Sequence, residues 1–267
     1  MEIPTNLPTP IKSILRKVGA KSLLNRAAML VYPVRTKYDV NDTTAEFYFN
    51  TRGDRLSVSH DIKSERSVIA DILNQTKSDD IVYDVGANVG TYSCFIANKL
   101  VEGKIIAFEP HPRNVERLKK NASINPESIE VRSIALGSED GENQLAIDTT
   151  KTHHLGTGDE TITVPVARGD ALVKNGTLPT PNIVKIDVEG AELHVVQGLQ
   201  DVLARQNCRI VYCEVHPESA VEWGLTPAEV DALEEELRNH GFQLEVIRGP
   251  LETGLYTIRA VKSGELR

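Results

Sequence analysis

Strand-like segments alternate with amphipathic helical patterns through the centre of the chain, and this alternation constrains the fold most. Strands that are buried on both faces are continuous apolar runs, and parallel strands need helical crossovers that cover the sheet. The alternation therefore predicts an α/β protein with a doubly wound, mostly parallel sheet. Five parallel strands and two C-terminal strands give seven in all, predicted at 81–85, 104–109, 129–133, 183–188, 210–215, 242–248 and 255–262.

The N-terminal part of the chain has a different pattern. Residues 3–38 contain basic side chains and no acidic ones, and Ile11, Ile14, Leu15 and Val18 recur at helical spacing. This pattern predicts a basic amphipathic helix. Such a helix either caps the domain or makes peripheral contact with anionic lipid or a lipid-linked substrate.

Two further strands, at 43–50 and 55–59, are predicted on either side of a turn at 52–54. Ser64 is then the predicted N-cap of a helix that carries Val68 and Leu73 on one face. We therefore divide the chain into an N-terminal extension, 1–62, and a sheet domain, 63–267.

Composition excludes several classes of protein. The net charge of −8 argues against a broad basic surface for nucleic acid. No apolar run approaches the roughly 20 residues of a membrane span, and the N-terminus lacks a secretory signal. Three cysteines without a Cys-x-x-Cys pair indicate neither a zinc knuckle nor a redox motif, and they suit a reducing cytoplasm.

The first predicted strand runs into a glycine-rich turn, Asp-Val-Gly-Ala-Asn-Val-Gly at 84–90. Glycine allows a tight turn and a close approach to a ligand, and the N-terminus of the following helix presents N–H groups and a positive dipole. The predicted binding residues in and after this turn are Asp84, Gly86, Ala87, Asn88, Gly90 and Thr91.

A second feature follows the next strand. Glu109, which precedes Pro110, lies 23 positions after Gly86 (109 − 86), close to the spacing of about 20 at which an acid meets a ribose diol. Its two oxygens can accept both hydroxyl protons. The turn and the acid together indicate a cofactor that contains a nucleoside, with Glu109 and Pro110 among the residues that bind it.

Two cofactor classes compete for this site. A dinucleotide favours Gly-x-Gly-x-x-Gly, whereas this chain has Gly-x-Asn-x-Gly preceded by Asp84. An acid there repels a pyrophosphate and favours the cationic amino group of S-adenosylmethionine. A methyltransferase is therefore the leading hypothesis. An NAD-type oxidoreductase on a similar sheet and a non-catalytic nucleoside-binding module remain alternatives.

Over residues 78–217 the sequence resembles the FkbM family of methyltransferases. Four blocks beyond the glycine-rich turn carry the resemblance: Phe-Glu-Pro-His-Pro at 108–112, Asn-Ala-Ser-Ile-Asn at 121–125, Ala-Leu-Gly at 135–137 and Glu-Val-His at 214–216. The most specific block is Lys-Ile-Asp-Val-Glu-Gly-Ala-Glu at 185–192. Arg-Gly-Asp at 168–170 departs from the Thr-Leu-Asp frequent in relatives and puts the local structure there in doubt.

The resemblance implies a Rossmann-like class I fold and methyl transfer to a hydroxyl, commonly on a sugar, a glycolipid or another secondary metabolite. It places S-adenosylmethionine against Asp84, Gly86, Asn88 and Glu109. The adenine is expected near Ala135 and Leu136.

Four polar residues lie at the ends of the fourth and fifth parallel strands, whose carboxyl ends should be neighbours, so their side chains are expected to converge: Asp187, Glu189, Glu214 and His216. Asp187 is expected to line the donor, His216 to serve as the acceptor base, and Glu189 to lie beside them. Asp187 as a helix N-cap and His216 as a strand-end residue bonded to backbone are the structural alternatives.

Three oxygens and an imidazole suit Mg²⁺ or Mn²⁺, but no close-spaced ligand motif supports an ion, so no metal site is expected. Glu192 is expected to complement a helix dipole, and Lys185 to find an acid. His153 and His154 lie in a candidate lid, residues 149–160.

Overall fold

A computed structural model describes residues 33–146, 161–218, 227–251 and 254–263. Its strands are β1 Val34–Val40, β2 Thr43–Phe49, β3 Ile81–Val85, β4 Lys104–Phe108, β5 Ile129–Arg132, β6 Ala135–Leu136, β7 Gly141–Ala146, β8 Thr161–Ala167, β9 Ile183–Ile186, β10 Ile210–Val215, β11 Phe242–Arg248 and β12 Tyr256–Lys262. Its helices are α1 Arg52–Ser64, α2 Arg66–Gln75, α3 Thr91–Ala97, α4 Pro112–Ala122, α5 Gly169–Lys174, α6 Glu192–Gly198, α7 Gln200–Leu203 and α8 Pro227–Asn239.

The central sheet confirms the predicted architecture. In the described part of the chain it has seven strands in the order β11-β12-β10-β9-β3-β4-β5. β10, β9, β3, β4 and β5 are parallel, and β12 and β11 join antiparallel. The chain builds outward from β3 through β4 to β5 and then continues on the other side with β9 and β10. The carboxyl ends of β10, β9, β3 and β4 are therefore contiguous at the switch point, where such sheets bind ligands.

Two apolar layers hold the sheet between them. Ile69, Phe95 and Ile105 belong to one cluster, and Phe108, Val196 and Leu237 belong to the other. These strands carry apolar residues toward both faces because helices cover both, which is why their sequences lack a polar face. Phe47 and Ile62 pack in the first cluster with Phe95, so residues N-terminal to 63 share this core. The division at residue 62 stays a prediction.

Two predictions for the N-terminal segment are wrong. Residues 55–59 are not a strand: Thr51 caps a helix, and its side chain and that of Asp54 each accept the other's backbone N–H. Val58 and Ile62, four residues apart, are the buried side of that helix. The strand that pairs with β2 is β1, so Arg35 and Lys37 lie in a strand instead of the predicted helix. The remainder of that helix, through residue 32, lies outside the described residues.

Ser64 does not cap the next helix. It is the last residue of α1, where its hydroxyl donates to the Asp61 carbonyl at 3.1 Å, and α2 starts after Glu65 without a side-chain cap.

Two asparagines of the 121–125 block attach β2 to the central domain. The Asn121 side chain accepts the Tyr48 N–H at 2.8 Å and donates to the Val89 carbonyl at 2.8 Å. The Asn125 side chain accepts the Glu46 N–H at 3.1 Å and donates to its carbonyl at 2.7 Å. The block therefore satisfies the edge of β2 and holds the glycine-rich turn.

A separate three-stranded sheet, in the order β6-β8-β7, was not predicted.

Gly169 of α5 approaches Leu199 so closely that a Cβ there would lie 2.2 Å from the Leu199 Cδ2. Asp170 accepts the Asp201 and Val202 N–H groups at 3.0 and 2.9 Å, at the start of α7. The Arg-Gly-Asp sequence at 168–170 therefore builds an ordinary helix junction.

No helix in the described ranges is long and apolar enough to cross a membrane. The predicted lid, including His153 and His154, lies outside those ranges.

Candidate active site at the switch point

The glycine-rich turn lies directly against the end of β9. Gly86 has φ +80°, and a Cβ there would lie 1.8 Å from the Asp187 carbonyl oxygen. The Gly86 and Ala87 N–H groups both donate to the Phe108 carbonyl, at 3.0 and 2.9 Å. Glycine is therefore required at 86 by backbone conformation and by the lack of space. The turn joins the ends of β4 and β9.

Glu109 lies beneath this turn. One carboxylate oxygen accepts the Asn88 N–H at 2.9 Å, and the other accepts the His111 N–H at 2.8 Å. Burial raises the pKa of Glu109 to about 7, although those N–H groups act in the opposite direction. The oxygen that accepts from His111 also accepts the Asn114 side-chain amide at 3.4 Å, whereas the oxygen that accepts from Asn88 keeps a second lone pair for a ligand hydroxyl. Asn88 and Glu109, expected from sequence to share a ligand, are therefore in direct contact.

Asp84 occupies a different environment from the one expected. Its side chain exposes no surface, accepts the Ser93 hydroxyl at 2.6 Å and lies 3.8 Å from the Lys185 ammonium. Burial raises its pKa. The direct contact with a donor amino group that the sequence suggested has no room in this arrangement. Asp84 is instead the buried partner of Lys185 and of the start of α3.

The remaining predicted donor residues surround the turn. Gly90 has φ +88° and precedes Thr91, the first residue of α3. Pro110 follows Glu109 at the end of β4 and is partly buried. Ala135 and Leu136 are buried and form β6. Their predicted contact with adenine stays a prediction.

Lys185 lies between the turn and the acids of β9. Its ammonium is 2.9 Å from an Asp187 oxygen and 4.4 Å from the centre of the Tyr92 ring. Burial acts to lower its pKa, but Asp187 and Asp84 outweigh burial and raise the pKa above its ordinary value. The expectation that this lysine finds an acid is confirmed.

Acids converge on the His216 imidazole. Its Nδ1 is 2.8 Å from Glu192 Oε1. Its Nε2 is 3.8 Å from an Asp187 oxygen, 3.5 Å from a Glu189 oxygen and 3.7 Å from a Glu214 oxygen. The side chain is 7% exposed. The predicted group of Asp187, Glu189, Glu214 and His216 is therefore brought together.

Both structural alternatives for these residues are excluded. The N-cap of α6 is Ala191, four positions after Asp187, and His216 pairs with a side chain instead of backbone. Glu189 has φ +55°, an uncommon conformation for a residue with a side chain, and Gly190 follows at φ +110°. Such backbone strain is typical of functional turns.

The electrostatics of the cluster change one expected role. Burial acts to lower the pKa of His216, but the hydrogen bond that its ring donates to Glu192 and the charge of Asp187 raise it to about 10. A raised pKa favours the charged imidazole, which argues against the predicted role of His216 as the acceptor base. Burial and the charge of Asp187 raise the pKa of Glu214 to about 8.

The pKa of Asp187 is shifted in the opposite direction from that of Glu214. Burial acts to raise its pKa, but the charges of Lys185 and His216 lower it overall.

Sequence reasoning missed four residues of this site. Glu192, expected only to face a helix dipole, also orients His216, and it accepts the Gly190 N–H at 2.9 Å. Arg248 of β11 lies 3.1 Å from a Glu214 oxygen. Burial, and after it the charge of nearby Asp187, raises the pKa of the Glu65 carboxyl, and Tyr92 also lies near this carboxyl. Only Glu192 had a sequence signal, its place in the 185–192 block.

A family model described as a methyltransferase FkbM domain matches residues 84–244. The chain belongs to the FkbM methyltransferase family. It is an S-adenosylmethionine-dependent methyltransferase, and neither the oxidoreductase nor the binding-module alternative is favoured.

Two relatives and one solved structure illustrate the similarity. The hexuronic acid methyltransferase AglP of Haloferax volcanii is 34% identical over 65% of this chain and 69% of its own. The 31-O-demethyl-FK506 methyltransferase FkbM of Streptomyces tacrolimicus is 28% identical over 66% of this chain and 77% of its own. A candidate rRNA methylase from Clostridium thermocellum has a TM-score of 0.50 at 9% identity, over 74% of this chain and 95% of its own. That last likeness concerns the fold alone.

Proposed function

We propose that this FkbM methyltransferase transfers the methyl group to a hydroxyl of a sugar, as a free glycan, a glycolipid or a glycosylated secondary metabolite. One observation carries the proposal: Asp187, Glu189 and His216 converge beside the glycine-rich turn, at the edge where the parallel strands end. Polar groups of this kind suit a hydroxylated acceptor. The name of the hexuronic acid relative supports the same class.

For the donor we assign the turn and the end of β4. The carboxylate of Glu109 accepts the ribose hydroxyls, and the adenine lies near Ala135 and Leu136. The remaining donor contacts are assigned to Gly86, Ala87, Asn88, Gly90, Thr91, Pro110 and Asp187. Asp84 acts through Lys185 instead of by contact, because it has no exposed surface.

The reaction requires few catalytic groups from the protein. The sulfonium methyl is already activated, so the enzyme aligns the acceptor oxygen with the S–CH3 bond and excludes water. The O–CH3 bond forms as the S–CH3 bond breaks, the sulfonium becomes a neutral thioether, and the hydroxyl proton leaves. We assign that proton to Glu189, which is about one-quarter exposed and borders the acceptor side of the cluster. General bases contribute roughly 10²- to 10⁴-fold.

The test is a transfer assay with S-adenosylmethionine and a panel of hexuronic acids, glycosides, glycolipids and amino sugars. We expect S-adenosylhomocysteine release together with a methyl ether on a hydroxylated sugar. Methylation of amino groups alone would overturn the acceptor class. Glu189→Gln should lower kcat roughly 100-fold or more with donor Kd unchanged, whereas Glu142→Gln, an exposed acid of β7, should change neither.

Three further predictions concern the setting of the enzyme. A lipid-linked acceptor would agree with peripheral membrane contact by the basic N-terminal segment, which for the most part lies outside the described residues. That contact, a cytoplasmic location and the absence of a nucleic-acid partner stay predictions.

A further inference from the structure

Three side chains of the candidate site each have one polar atom held from outside and another directed inward. One Asp187 oxygen is 2.9 Å from Lys185, and its other oxygen faces His216. One Glu214 oxygen is 3.1 Å from Arg248, and its other oxygen also faces His216. The His216 Nδ1 is held by Glu192, and its Nε2 faces both acids.

The inward atoms are close together without satisfying one another. One ligand atom from each of the three residues lies within 4.8 Å of the other two. The Nε2 distances to Asp187 and Glu214, 3.8 and 3.7 Å, exceed the length of a hydrogen bond. The nearest acid to Nε2 in the described ranges is Glu189, whose oxygen lies 3.5 Å away, although the ring is more than nine-tenths buried. Outer partners that orient inward-facing ligand atoms are the usual construction of a metal site.

We propose that Asp187, Glu214 and His216 bind a divalent cation of the Mn²⁺ class. Octahedral ligands at about 2.1 Å from an ion lie about 3.0 Å apart when adjacent and about 4.2 Å apart when opposite, so the present spacing needs a contraction of somewhat less than about 1 Å for each pair. Two carboxylates suit Mg²⁺ and Mn²⁺, whereas an imidazole nitrogen favours a transition metal, so the mixed set favours Mn²⁺ over Mg²⁺.

The catalytic meaning of this ion rests on the proposed function. A cation at this point lies beside the donor turn, where it would bind the acceptor oxygen and lower the pKa of the hydroxyl. The cation would displace the proton from His216 Nε2, so His216 would be a neutral ligand. The hydroxyl proton would pass to Glu189. In this scheme the acids need not bind the sugar themselves.

The experiment uses the whole protein after dialysis against a chelator, without donor or acceptor. Mn²⁺ is titrated in, and free Mn²⁺ is followed by its electron paramagnetic resonance signal. We expect one saturable site per chain, a rise in Tm on saturation, and weak competition by Mg²⁺. Glu214→Gln and His216→Gln should each weaken binding at least tenfold. The matched control is Glu245→Gln, which alters another Glu–Arg pair, between Glu245 of β11 and Arg259 of β12.

No saturable binding by the wild-type protein up to the order of 1 mM Mn²⁺ would overturn the site. So would equal binding in Glu214→Gln, or displacement by Mg²⁺ at equal concentration, which would exclude a nitrogen ligand. If one variant fails to fold, Asp187→Asn tests the same prediction.

Donor binding to the same chelated sample is measured separately. Mn²⁺ binding without donor binding would support the metal site and count against the donor assignment. Donor binding without Mn²⁺ binding would overturn the metal site alone.

Discussion

The donor half and the acceptor half of this site are built in different ways. Most of the proposed donor half comes from one stretch of chain, 84–110, and is held by backbone: glycine conformations and N–H groups donated to the Phe108 carbonyl and the Glu109 carboxylate. The acceptor half is held by charged side chains from separate segments, including Glu214 and Arg248. Local backbone geometry can be read along the sequence, whereas an electrostatic cluster exists only after the strands have been placed side by side.

Lys185 joins the two halves, and its removal should have the largest effect. Lys185→Met leaves Asp84 and Asp187 without their shared cation, and breaking a buried pair from one side typically costs about 3–5 kcal/mol. Urea unfolding should show this loss. Lys104→Met, which removes an exposed pair with Glu130, should cost less than about 1 kcal/mol. Similar losses in both variants would mean that the two halves are not coupled through this charge.

The next prediction tests the backbone half. Gly86→Ala adds a Cβ that overlaps the Asp187 carbonyl at a positive φ, so we expect a loss of about 2–4 kcal/mol and a severe loss of donor binding. Gly176→Ala is the control, because Gly176 has φ +76° with nothing within 4 Å of the added atom. It should cost only about 1 kcal/mol of strain. Equal costs would show that contact with Asp187 is unimportant.

A milder change addresses the donor alone. Glu109→Gln removes charged acceptors from the proposed ribose site, and hydrogen bonds to charged groups contribute about 1.5–3 kcal/mol, so donor Kd should rise roughly 10- to 100-fold. Calorimetric titration with S-adenosylhomocysteine measures it. Glu116→Gln, on the exposed side of α4, should leave Kd unchanged. Normal donor binding by Glu109→Gln would place the ribose elsewhere.

The smallest predicted effect is on pH dependence. The pKa of Glu109 is raised to about 7, so its carboxylate is mostly neutral at pH 6 and mostly charged at pH 8. Only the charged form accepts from both ribose hydroxyls, so donor affinity should rise by about tenfold over this interval. Glu109→Gln should remove that rise. If the slope persists in the variant, another group causes it.

The elements that were predicted depend on local sequence patterns, whereas those that were missed depend on contacts with distant parts of the chain. Ile81–Val85 and Ile210–Val215 were predicted at their observed bounds because buried parallel strands are continuous apolar runs. Residues 55–59 alternate apolar and polar side chains as a strand does, but the cap at Thr51 and packing of Val58 made them helical. The short strands of the second sheet had no pattern strong enough to predict them.

The same difference holds within the site. The sequence indicated Asp187, Glu189, Glu214 and His216 as neighbours, because adjacent parallel strands end at one edge. It did not indicate that Glu192 would hold His216, or that these acids would favour the charged imidazole. Burial and distance set those properties, and neither is local in sequence.

The sequence by itself determined the parallel sheet, the glycine-rich turn beside Glu109, and the family, because hydrophobic periodicity and glycine conformation are local properties. Tertiary structure alone decided that Asp84 is buried behind Lys185, that Glu65 and Arg248 lie at the site, and that one atom each of Asp187, Glu214 and His216 lies within 4.8 Å of the other two. Those features depend on electrostatic interactions between residues up to about two hundred positions apart, which only the assembled sheet brings within a few ångströms.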